Sequence, residues 1–183
     1  PDDPVAGKGN PRDWQVNLSG RGFRLPTEAE WEVACRAGMR TMLGFGSDVT
    51  RLRDYGWFMD NCDGRVHEPL ELRPNLRGLF DMHGNLSEWT HDYFTADTDA
   101  VCYDPIGPGS YLIKDLYRVT RGGSWRSLAP MCRTAYRHSI RPWDRISYQG
   151  FRVAYAPWNV SDPVIGAMSI PGRNPLPPPP PME

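Results

Sequence analysis

No stretch of this chain approaches the roughly 20 consecutive apolar residues a membrane-spanning helix requires, so no membrane span is expected. It also lacks an excess of one charge: 21 Lys and Arg face 22 Asp and Glu, for a net charge of -1. Its basic residues are scattered and form no stripe of positive potential that could hold a phosphate backbone, which removes nucleic acid from the expected partners. Cysteine is sparse, and Cys35, Cys62, Cys102 and Cys132 form no CxxC pair. That spacing argues against a zinc site and leaves buried free thiols as the plain reading. Long regular periodicity is missing as well. With 18 Gly and 19 Pro among 183 residues, much of the backbone must run in turns and loops. The length suits one domain around a single core.

Residues 1–22 are rich in Pro, Gly, Asp and Asn and read as an irregular leader or the remainder of a longer N-terminal portion. Order is expected from Phe23. In Leu25-Pro26-Thr27-Glu28-Ala29-Glu30, the Thr27 hydroxyl can accept from the Glu30 amide while the Glu30 carboxylate reaches back, a capping box that starts a helix. Gly38 ends it. Trp31, Ala34 and Cys35 share one helical face, so this helix buries an aromatic anchor and Cys35 packs rather than reacts. From Met39 to Asn75, Tyr55, Trp57 and Phe58 stand among Gly and Asp as loop anchors, and Asn61 and Asp63 could serve an ion but read first as turn caps. Strands are expected over Trp89–Phe94, Tyr117–Arg121 and Phe151–Tyr155, the last placing Phe151, Val153 and Tyr155 together. These short strands with long connections predict an α+β, loop-rich fold holding a small antiparallel sheet and few short helices. The domain should span 23–158, and 159–183 should be an extended tail ending in a polyproline II run, Pro177 to Pro181.

Four motifs carry further information: Arg24-Leu25-Pro26-Thr27-Glu28-Ala29-Glu30-Trp31-Glu32; Gly78-Leu79-Phe80-Asp81-Met82-His83-Gly84-Asn85 with Glu88-Trp89; Arg121-Gly122-Gly123-Ser124-Trp125; and Gly150-Phe151-Arg152. In this order they resemble formylglycine-generating-enzyme-like domains, also called sulfatase-modifying-factor domains, from Phe23 to about Ala156. The resemblance implies the C-type-lectin-like variant of an α+β fold. Family members carry a further N-terminal portion, so a missing segment or partner chain is expected to complete this one.

By the same resemblance, formylglycine-generating enzymes oxidise a substrate cysteine with copper(I) held by two cysteines placed shortly after the Gly-Gly-Ser motif. Counted without gaps, this chain has Ser127 and Cys132 there. Copper(I) is soft and favours two thiolates, and a serine hydroxyl is a hard, weakly acidic donor. Copper is therefore not expected, and Cys132 reads as a small buried hydrophobe. Calcium is a second implied ion, with Asp81, Asn85 and Glu88 supplying side-chain oxygens and Gly84 and Leu86 main-chain carbonyls. The alternative is that Asn85 and Glu88 hydrogen-bond the backbone of their own turn.

Between the last two motifs, Trp125, Arg126, Ser127, Leu128, Tyr136, His138, Ser139, Ile140, Trp143, Asp144, Ile146, Ser147 and Tyr148 mix aromatic, aliphatic, basic and hydroxyl groups without regular periodicity. That mixture suits a recognition surface for a protein or other macromolecule. Variable proteins of diversity-generating retroelements are similar in fold and randomise this segment by mutating adenines in asparagine codons. Arg126-Ser127-Leu128, His138-Ser139-Ile140 and Ile146-Ser147-Tyr148 are all reachable that way. The expectation is a non-catalytic binding domain displaying this face. The alternatives are a copper-dependent cysteine oxidase and a structural component of a larger assembly.

Overall fold

The computed structural model describes residues 22–94 and 117–156. The leader, Cys102 and the proline-rich tail lie outside the described residues. Strand β1 (Gly22–Arg24) is followed by helix α1 (Glu28–Arg36), a 3-10 turn (Val49–Asp54), strands β2 (Ser87–Tyr93) and β3 (Arg118–Arg121), a second 3-10 turn (Ala129–Cys132), and strands β4 (His138–Ile140), β5 (Gln149–Phe151) and β6 (Ala154–Ala156). Residues Leu25–Ala154 form one compact unit; the second holds β1 and most of β6, where the Phe23 and Tyr155 rings lie 5.1 Å apart. No helix of the described residues is long and apolar enough to cross a membrane.

Helix α1 starts as its sequence dictates. Thr27 Oγ1 accepts from the Glu30 amide at 3.2 Å, and Glu30 Oε2 accepts from the Thr27 amide at 2.8 Å, so two orphan donors are satisfied reciprocally. A third, the Glu28 amide, donates to the Asp92 carboxylate from β2. At the other end Ala37 takes the left-handed conformation, and Asn75 donates to the carbonyls of Ala34 and Cys35, closing the helix from a distant loop. The buried face carries Trp31 and Cys35, packed on Met82 with Ala34 and Leu79 beside them. A second apolar cluster joins Leu43, Leu52, Phe58 and Cys132.

The four-stranded sheet runs β4-β3-β2-β5. The β2–β3 and β3–β4 pairs are antiparallel, but β2 and β5 are parallel, so the expected antiparallel sheet is mixed. Glu88 sits at the junction, opposite Arg121 on one side and Gly150 on the other. The expected strand over 151–155 divides into β5, which pairs with β2, and β6, which pairs with β1, and between them Arg152 turns its guanidinium inward to Glu88. Phe151, Val153 and Tyr155 are consequently exposed. Strand β2 also departs from a simple amphipathic pattern: its inward residues are Thr90 and Asp92, each spent on a backbone partner, the Val119 carbonyl and the Glu28 amide.

Burial in this unit is polar to an unusual degree. Arg121 is 1 % exposed, and its guanidinium donates to Glu32 of α1 and to the carbonyls of Thr134 (2.7 Å) and Tyr136 (3.0 Å). Glu28 lies 3.4 Å from the same guanidinium and is held by Arg137 through both its oxygens, at 2.6 and 2.8 Å. Arg152 forms a like fork on Glu88, whose Oε2 also accepts from the Trp31 indole. Acids of the helix and β2 motifs thus hold arginines of the later motifs.

Candidate functional site

The site is built on the turn that follows Arg121. Gly122 and Gly123 have φ of 92° and 71°, and a Cβ at Gly123 would stand 2.8 Å from Cys132 Sγ, so this left-handed pair admits only glycine. Beyond it the chain turns on itself: Ser127 Oγ accepts from the Ser124 amide at 2.9 Å and lies 3.2 Å from Ser124 Oγ. Two bonds lock this turn to the preceding motif, with the Gly84 amide on the Gly122 carbonyl and the Trp125 amide on the Asn85 carbonyl, both at 2.8 Å. The Met59 amide donates to the Ser127 carbonyl at 3.0 Å and secures the far side.

An open cleft of about 410 Å³ lies against this turn. From the expected face it gathers Arg126, Ser127, Tyr136, His138 and Tyr148; Ser87, Thr120, Gly123, Ser124 and Met131 complete the wall. The Arg126 guanidinium lies 5.4 Å from the Trp125 ring and 5.9 Å from that of Tyr148. His138 Nδ1 is 3.5 Å from Thr120 Oγ1, and partial burial lowers the imidazole's proton affinity below its ordinary value.

The remaining face residues divide. Leu128, Trp143, Asp144 and Ser147 are exposed, whereas Ser139 and Ile146 are partly covered. Ile140 is turned away: it is 4 % exposed and pairs with Arg118 in β4, a strand that the sequence did not announce. Ser87 and Thr120 were missed because they come from β2 and β3, outside the segment that reads as a recognition surface. Only their places beside Glu88 and Arg121 hinted at it.

Cys132 does not line the cleft. It lies in the Leu43, Leu52 and Phe58 cluster at 0 % exposure, and burial pushes its thiol up to about 12. A single thiol held in that protonated state, with Ser127 Oγ engaged by Ser124, does not fit copper(I), which binds paired thiolates. Two of the side chains named for calcium, Asn85 and Glu88, are occupied. Asn85 Oδ1 accepts from the His67 amide and its Nδ2 donates to the His67 carbonyl, both at 3.1 Å. Glu88 is filled by Arg152 and Trp31. Asp81 Oδ2 accepts from Leu70 while Oδ1 is buried without a partner, and burial raises this carboxyl's pKa. Arg152 also donates to the Phe80 carbonyl at 3.1 Å, so a guanidinium reaches into this loop, and Asn85 and Glu88 as arranged are not open to an ion. Among the described residues, no three His, Cys, Asp or Glu side chains cluster as metal ligands.

Behind the cleft His83 joins three segments. Its Nδ1–H donates to the Cys132 carbonyl at 2.7 Å, and Nε2 accepts from the Gly44 amide at 3.1 Å, which fixes the neutral tautomer. Burial carries its pKa down from 6.5 to about 4.

The model of the sulfatase-modifying factor enzyme 1-like domain matches residues 5–157. The serine/threonine-protein kinase pkn1 of Chlamydia pneumoniae is 36% identical over 138 residues, covering 73% of this chain and 21% of that one. The formylglycine-generating enzyme of Streptomyces coelicolor is 36% identical over 150 residues, covering 73% and 46%. Among solved structures, variable protein 1 of Treponema denticola superposes with a TM-score of 0.72 at 36% identity, over 78% of this chain and 51% of that one. The chain therefore spans about half, or less, of the length of these relatives.

His83 makes stability pH-dependent in a stated direction. The unfolded imidazole takes a proton below about 6.5 and the folded one only below about 4, so this contribution is complete above the first value and is lost as pH falls towards the second. Denaturant midpoints measured from pH 7 to 4 should fall, and His83→Gln, which keeps a donor and an acceptor but takes no proton, should flatten the slope. A native His83 titrating near 6.5 would contradict this.

Proposed function

The chain belongs to the sulfatase-modifying factor enzyme 1-like domain family, and on that premise we propose that it is a recognition domain that holds a protein or other macromolecular ligand on the face around 125–148 and oxidises no cysteine. One observation carries this reading: where the resemblance requires a thiolate pair, Ser127 is spent on its own turn and Cys132 on the core. What the described residues leave at the surface is a cleft of hydroxyls, aromatic rings, one imidazole and one arginine, a mixture suited to recognition. Fold alone does not decide activity, so the reading rests on these side chains.

The likeness to a protein named variable protein 1 supports the finer version, in which a retroelement diversifies the face. The exposed positions Arg126, Leu128 and Ser147 can change without touching the core, as diversification demands. A template repeat beside the gene, mismatched at adenines across these codons, is the observation that establishes it.

Both metals are addressed by titration. Purified protein is expected to show no tight copper(I) binding and to leave a cysteine peptide unconverted, whereas Ser127→Cys, which restores the second thiol, should raise copper(I) affinity only if Cys132 leaves its core position. In this reading Arg152 stands where calcium was expected, so adding EDTA should leave the melting temperature unchanged. Aldehyde formation by the unmodified protein would end the proposal, and a chelator-induced drop in melting temperature would return calcium to the Asp81 corner.

A further inference from the structure

The chemistry of the cleft is specific enough to name what enters it. Among the described residues its wall contains no carboxylate. Among the described residues it offers the Tyr148 hydroxyl, the one hydroxyl hydrogen that the Ser124–Ser127 pair leaves over, and one cation, Arg126. Elsewhere in this unit Arg121 and Arg137 are matched to Glu28 and Glu32, and Arg152 to Glu88, while Arg118 lies over the Tyr93 ring and donates to the His91 carbonyl. Arg126 differs. Its guanidinium lies beside two aromatic rings, which orient the plane without using its hydrogen-bond donors, and among the described residues no carboxylate pairs with it. Such a fork at the mouth of a hydroxyl-lined cleft is complementary to an oxyanion.

The amount of charge selects among anions. His138 is held towards its neutral form, so near pH 7 the described residues of the wall present a single positive charge. One planar guanidinium with neutral hydroxyl donors matches a carboxylate, singly charged and bidentate; a phosphate dianion draws on more positive charge than this wall supplies. We propose that the cleft is the binding site for an acidic side chain, Asp or Glu, of a protein ligand, with the carboxylate bridged by Arg126 and the Ser124–Ser127 turn. This rests on the recognition reading of the same face and adds the ligand's chemistry to it.

The test is an NMR titration of the full chain with acetyl-Gly-Glu-Gly-amide, its Gln counterpart and, separately, inorganic phosphate. The glutamate peptide should shift the Ser124, Ser127 and Tyr148 amides saturably, and the Gln peptide should bind about tenfold more weakly or worse, the loss expected for a charge-assisted bond. Arg126→Gln should abolish the difference between the peptides, and Arg126→Lys, which keeps the charge and loses the fork, should retain part of it. Arg126 is exposed, so both variants are expected to fold, with the denaturation midpoint as control. Equal binding of the two peptides at the cleft overturns the carboxylate assignment and leaves the recognition reading standing. Tighter binding of phosphate than of the glutamate peptide, or no cleft shifts with either peptide, overturns it as well. The copper and cysteine-peptide assay judges the recognition reading separately.

Discussion

The buried guanidinium of Arg121 is the constraint on which this architecture turns. A charge at 1 % exposure must be paired, and here it is shared among Glu32 and Glu28 on the helix and two carbonyls, of Thr134 and Tyr136, on the chain returning from the cleft. Those partners fix α1 against the sheet and set where the chain leaves for β4. Because Gly122 follows at once, with the Trp31 ring in the space a side chain would need, the same residue also fixes the start of the turn that forms the cleft. Apolar burial in the unit comes in two modest clusters, so its cohesion depends heavily on such polar networks, although the Arg121 Nε itself is buried without a partner.

Arginine is the residue that makes this workable. Apart from Lys8 and Lys114, all of the 21 basic residues are arginine. The planar fork satisfies a carboxylate bidentately and still donates to carbonyls, as Arg152 does to Glu88 and Phe80, which an ammonium's point charge does less well. A protein-supplied cation thereby takes Glu88, one of the carboxylates named for an ion. Arg126 then stands out as a cation of similar type placed at a cleft and left to aromatic neighbours.

Much of the frame was legible because local chemistry dictated it. The capping box on Thr27 and Glu30, the Trp31 face, the turn caps at Asn61 and the strands around Trp89 and Val119 follow from residue types at short spacing, and each is present. What was not legible depends on partners distant in sequence. The parallel pairing of β5, the inward turn of Arg152 between β5 and β6, and β4 itself are decided by residues 50 or more positions away or by neighbouring strands. At the site, the Gly-Gly-Ser turn was one of the four motifs, and five of the cleft residues were among those singled out in the segment beyond it. Ser87 and Thr120 enter only through sheet pairing, and Ile140 leaves because β4 buries it.

The central claim is a division of labour, in which a charge-paired frame carries stability and the face beyond the Gly-Gly turn is free to bind. Denaturant unfolding of a variant with Arg126, Leu128, Asp144 and Ser147 all changed to Ala, compared with Arg121→Met alone, tests it directly. The fourfold face variant should stay within about 1 kcal/mol of the parent, as exposed substitutions do. Loss of the single buried arginine should cost about 3 kcal/mol or more, since it leaves buried partners unpaired. A face variant as destabilised as Arg121→Met would contradict the account.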